Sequence, residues 1–69
     1  MRIAEAAEIV LNGAEAPMHA RDIAAVMEVN KLFEFRTTEK ASVVSKALTK
    51  SEKFAKTAPG MFALRLKIG

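Results

Sequence analysis

Sixty-nine residues, 51% hydrophobic and 28% charged, make one globular domain and leave no room for a second. Cysteine is absent and histidine occurs once, which removes disulfide staples, zinc-finger and iron–sulfur ligation and thiol catalysis together. The net charge of +3 hides an asymmetry: residues 1–35 carry three basic and six acidic side chains, a net −3, whereas residues 36–69 carry eight and two, a net +6. Such a split points to a polyanionic partner on the C-terminal half or, more simply, to an unevenly charged solvated surface.

The first predicted element is a helix from Arg2 to Ala14, with Ile3, Ala7, Val10, Leu11 and Ala14 on one face, Glu5 and Glu8 near its start and Asn12-Gly13 as its stop. Pro17 pushes Ala16 toward extended geometry, and a short strand can run through Met18. His19 stands three residues before Asp22 in an imitation of a capping box, and Ile23, Val26 and Met27 mark a second helix over about 20–29. From Asn30 to Thr37 the pattern is aperiodic. Leu32, Phe33 and Phe35 there belong either to a loop with buried anchors or to one short helical turn.

Thr38 (or Thr37) then supplies an N-cap, with Glu39 in the first turn. Ala41, Val44, Ala47 and Leu48 draw the buried stripe of a third helix reaching about Ser51. Beyond it the period changes. Phe54 to Thr57 and Met61 to Leu66 are short strands joined by Ala58-Pro59-Gly60, with Phe62, Leu64 and Leu66 alternating against Met61, Ala63 and Arg65. A lone ribbon is marginal in water and must pack on the helices, with Pro17-Met18 able to add a third strand. The expected fold is mainly α with a small β-ribbon: a winged helix-turn-helix of three helices and a C-terminal hairpin, one domain over residues 1–69. The chain ends at Ile68-Gly69 without a natural tail and reads as a fragment of a longer protein.

The ordered pieces AEAAEIVL, APMHARDIAAVME, Leu32, a Thr-led helix ending VVSKAL, Phe54 and PGMFAL resemble the HARE-HTH domain. That winged helix occurs in additional-sex-combs-like chromatin proteins, some restriction endonucleases and the delta subunit of bacterial RNA polymerase. The similarity spans about residues 3–66, and the APM and PGMFAL punctuation is its most telling part. Family members often have proline early in helix three, where this chain has Glu39-Lys40. The resemblance implies a non-catalytic, nucleic-acid-associated module attached to larger effectors, with roles in transcription regulation or restriction-modification.

At about 100° per residue, the side of helix three opposite its buried stripe carries Glu39, Ser42, Val43, Lys46, Thr49, Lys50 and, past its end, Lys53. Lysines reach phosphates or guanine acceptors, the hydroxyls reach either, and an exposed Val43 can touch a thymine methyl group. The bland alternative is a solvated face with one stray apolar residue. Arg, Asn and Gln are missing from this face, so weak or shape-led recognition is expected rather than bidentate base reading. Arg36 just before the helix is a candidate phosphate clamp, and Lys40 joins the same basic set. In the wing, Lys53 and Lys56 flank Phe54 and either contact the DNA backbone or guard an edge strand against aggregation. The candidates for contact with duplex DNA are therefore Arg36, Lys40, Ser42, Val43, Lys46, Thr49, Lys50, Lys53 and Lys56.

His19 reads as a capping or surface residue, because a general base needs a partner and a pocket and a metal cluster needs further ligands. The four phenylalanines and Met18, Met27 and Met61 read as core and gap fillers, and Glu5, Glu8 and Glu15 as solvated acids. Phosphate loops, nucleophile elbows and metal-ligand spacings are missing. No catalytic residue, metal, cofactor or small-molecule substrate is expected. No apolar run nears the roughly 18 residues of a membrane span, and the N-terminus lacks the pattern of a signal peptide. The expectation is an intracellular module, cytoplasmic in a bacterium and nuclear in a eukaryote, with double-stranded DNA as partner. The alternative is a protein-interaction module in a transcription, chromatin or restriction assembly that works through the acidic half.

Overall fold

The computed structural model describes residues 2–68. The elements follow in the order α1 (Ile3–Asn12), β1 (Met18–His19), α2 (Ala20–Val29), α3 (Lys40–Thr49), β2 (Phe54–Ala58), β3 (Met61–Leu64) and α4 (Arg65–Ile68). Gly69 lies outside the described residues.

Helix α1 is shorter than its pattern, stopping at Asn12 with Gly13 at the C-cap. At its start the Arg2 N–H donates to Glu5 Oε2 at 3.4 Å. Helix α2 has the predicted bounds. His19 is extended, at φ −71° and ψ 146°, and its Nδ1 accepts the Arg21 N–H at 3.1 Å, so the imidazole takes the capping role usually filled by Ser or Thr. Asp22 stays exposed in the first turn, where it complements the helix dipole.

The far end of α2 closes without glycine. Lys31 takes φ 55°, its N–H donates to Glu28 O at 3.1 Å, and the Leu32 N–H donates to Met27 O at 2.8 Å. These are the two bonds of a Schellman motif, and Leu32 and Met27 occupy the positions of its usual apolar contact. The segment that follows is a loop with anchors rather than a helical turn. Leu32, Phe33 and Phe35 are half-buried against the core, and the two rings meet edge to face at 4.9 Å and 63°.

The start of α3 departs from expectation. Neither Thr37 nor Thr38 caps it: Glu39 holds the cap position with no side-chain cap bond, while Thr37 Oγ1 accepts the Glu39 N–H at 3.2 Å. The threonine closes a turn ahead of the helix instead. The helix also ends at Thr49 rather than Ser51, whose N–H folds back to Leu48 O at 3.2 Å.

The sheet is antiparallel with order β1-β3-β2. β1 supplies the third strand, pairing Met18 with Phe62 and His19 with Met61. In the hairpin Phe54 faces Leu64, Ala55 faces Ala63, Lys56 faces Phe62 and Ala58 faces Met61, so Thr57 is bulged. Pro59-Gly60 forms the tip, with Gly60 at φ +76°, a value that suits glycine after a proline whose own φ is preset. The strand alternation fails in two places. Ala63 is buried beside Leu64 because β3 is the central strand, and the Ala14–Pro17 segment borders the same small cavity as Ala63. Leu66 is not in the strand at all. The chain turns into α4 at Arg65, leaving Leu66 96% exposed.

One core joins these parts. Ala6, Ala7, Val10 and Leu11 of α1 meet Ala20, Ile23, Ala24 and Met27 of α2, Val44 and Leu48 of α3, and Phe54, Phe62 and Leu64 of the ribbon. The alanines let α1 and α2 approach closely, which suits a chain with little volume available for a core. Among the described residues no polar or charged side chain is buried.

Candidate nucleic-acid interface

The packing of α3 decides which of its side chains are available. Val44 and Leu48 are buried, with Ala41 and Ala47 half-buried beside them. On the helix wheel Lys46 lies opposite this stripe, with Ser42 and Lys50 about 40° to either side of it. All three are exposed. Thr49 is exposed too, and its Oγ1 donates back to Ser45 O at 2.7 Å, which leaves the oxygen's lone pairs for an incoming donor. Val43, expected to stand in solvent, is half-buried. Its wheel position lies between Lys46 and half-buried Ala47, on the flank of the exposed face rather than at its centre.

Two of the candidate cations are already paired. Lys40 Nζ lies 2.7 Å and 2.8 Å from the two carboxylate oxygens of Glu28 on α2. Lys53 Nζ lies 3.1 Å from Glu8 Oε2 on α1. Lys53 therefore reaches back to the first helix instead of extending the Lys46/Lys50 row. Arg36, Lys46, Lys50 and Lys56 are exposed and have no ion-pair partner among the described residues. The nine candidates thus divide into four free cations, two paired ones, two hydroxyls and one flanking valine.

The helix and the wing enclose a groove of roughly 430 Å³ whose rim includes Thr49, Lys50, Ser51, Lys56 and Arg65. Strand alternation places Arg65 only as an outward position, and its role is larger than that. Its N–H donates to Lys53 O at 2.9 Å, its Nε to Glu52 O at 2.8 Å and one Nη to Phe54 O at 3.4 Å. The planar guanidinium fork fits two carbonyls at once, so Arg65 anchors the start of β2, on which Lys56 rides. At the tip, the Gly60 carbonyl accepts the Ala20 N–H at 2.9 Å, and a Cβ on Gly60 would lie 2.7 Å from His19 Nε2. The wing is thereby seated on the N-terminus of α2.

The chain also matches a protein-family model. The model of the HARE-HTH family, whose description names the helix-turn-helix domain of ASXL proteins and restriction endonucleases, matches residues 1–66. The chain belongs to the HARE-HTH family. No curated protein and no solved structure gives a significant match. Helices α1 to α3, the antiparallel sheet and the hairpin wing place this HARE-HTH chain among winged helix-turn-helix domains, with the one-turn α4 as an addition after the wing. Among the described residues, no group of three or more His, Cys, Asp or Glu side chains is placed to hold a metal ion, and no helix is long and apolar enough to cross a membrane.

Proposed function

We propose that this HARE-HTH domain is a non-catalytic module that binds double-stranded DNA with the outer face of α3 and the wing. The observation that carries the reading is the set of four exposed cations without an ion-pair partner among the described residues: Lys46 and Lys50 on the outer face of α3, Arg36 just before it and Lys56 on the wing. Ser42 and Thr49 add hydroxyls to the same face, and Lys50 and Lys56 line the groove that a phosphate strand would follow. α3 contains no Arg, Asn or Gln, so recognition is weak or led by DNA shape. An isolated copy binds in the micromolar range or weaker, and four phosphate contacts correspond to a log–log salt slope of about 3.6.

Chemical-shift titration with duplex DNA tests this reading. The expected perturbations lie on 36–50 and on the wing, and Lys46→Glu combined with Lys50→Glu abolishes them while leaving the fold intact. Perturbations confined to α1, or none at low salt, would overturn it.

A second reading has an observation of its own. Ile9, 49% exposed, and Leu66 flank neighbouring grooves that share Glu8, Asn12 and Lys53. An apolar and acidic surface of this kind suits a protein partner in a transcription, chromatin or restriction assembly. A pull-down that survives high salt and is lost on Ile9→Lys supports that reading over DNA binding alone.

A further inference from the structure

The two lysines that the fold has already paired sit at the two ends of the proposed DNA-binding face. Lys40 opens α3 and is held by Glu28 of α2, while Lys53 lies between α3 and β2 and is held by Glu8 of α1. In both cases a carboxylate from the acidic half of the chain neutralises a cation of the basic half. A lysine whose charge is met by a carboxylate cannot neutralise a phosphate without giving that partner up. The carboxylate itself also repels a phosphate brought to the same place.

We infer that Glu28 and Glu8 set the extent and strength of the DNA contact: they withhold Lys40 and Lys53, so that only the four unpaired cations reach phosphates. This rests on the duplex-binding reading above. The two pairs are not equal. Glu28 places both oxygens on Lys40, and each side chain is 39% exposed, whereas the Lys53 side chain is 69% exposed and makes one contact at 3.1 Å. Better screening by solvent makes the Glu8 pair the weaker restraint. Glu28→Gln therefore gives the larger gain. Glutamine keeps the shape of the side chain and removes only the charge, and both positions are at the surface, so the fold survives either change.

The experiment is fluorescence anisotropy with a short labelled duplex, repeated from about 50 to 200 mM salt. The proteins are the parent, Glu28→Gln, Glu8→Gln, the double variant, Glu28→Gln with Lys40→Gln, and Glu15→Gln. Glu15 is an exposed acid without an ion-pair partner among the described residues, so its variant makes the same change in net charge. Each freed lysine adds about 0.9 to the slope and up to about eightfold in affinity near 0.1 M salt. The slope then rises from about 3.6 to about 4.5 in Glu28→Gln, by less in Glu8→Gln, and to between about 4.5 and about 5.4 in the double variant. Glu28→Gln with Lys40→Gln returns to the parental slope, and Glu15→Gln never leaves it.

Parental slopes in both Glu→Gln variants would overturn the inference while leaving DNA binding in place. The same holds if Glu15→Gln gains as much as Glu28→Gln, because net charge would then be the cause. Failure of every protein to bind duplex at the lowest salt would remove the DNA-binding reading and the inference with it.

Discussion

Replacing Gly60 by alanine tests how the wing is held. Gly60 has φ +76°, and an added Cβ would lie 2.7 Å from Nε2 and 3.1 Å from Cδ2 of His19. The backbone term alone costs about 1–2 kcal/mol, since an L-residue in the left-handed region brings its Cβ against the carbonyl. The imidazole is not free to move aside at no cost, because its Nδ1 accepts the Arg21 N–H and caps α2. Displacing it forfeits an N-cap, about 1 kcal/mol. The expected loss is therefore about 2–3 kcal/mol, which lowers the melting temperature by roughly 10–20 °C in a domain of this length.

A double-mutant cycle followed by circular dichroism separates the two terms. His19→Ala alone loses the cap, about 1 kcal/mol. In the double variant there is no imidazole left to displace, so the combined loss falls short of the sum of the singles by about 1 kcal/mol. Strict additivity would refute the contact between the wing tip and the α2 cap. An unchanged melting temperature for Gly60→Ala would refute the turn geometry as well.

Two further substitutions probe the frame that carries the site. Phe62, 1% exposed on the central strand, is the largest fully buried side chain among the described residues; Phe62→Ala costs about 3–5 kcal/mol and largely unfolds a domain of ordinary marginal stability, which would show as a collapsed amide spectrum. Lys31→Gly relieves about 1–2 kcal/mol of left-handed strain at the Schellman position, partly offset by the looser unfolded chain; the net gain of about 0.5–1 kcal/mol raises the melting temperature, and a fall would contradict the φ of 55°.

The elements whose cause is local are readable from the chain alone. α2 follows from a capping side chain at His19 and the apolar spacing of Ile23, Val26 and Met27, and its bounds come out as predicted. Pro59-Gly60 announces the hairpin tip by the backbone angles those two residues favour, and the inward faces of Phe54, Phe62 and Leu64 follow from strand alternation. The charge split and the outward placement of Lys46 and Lys50 are legible for the same reason, since a helix wheel needs no partner to be drawn.

Tertiary contact settles the remainder. Glu8 meets Lys53 across 45 residues and Glu28 meets Lys40 across 12, so neither pairing exists until α2 has packed on α3 and α1 against the connection from α3 to β2, and no sequence pattern marks either one. The end of β3 depends on the Arg65 guanidinium turning back onto the carbonyls of Glu52 and Phe54, which takes Leu66 out of a strand that its alternation would have continued. The closure of α2 at a lysine shows the same limit from the other side. Local propensity favours glycine there, and the two backbone bonds at Lys31 and Leu32 together with the half-burial of Leu32 offset the strain that propensity alone would have avoided.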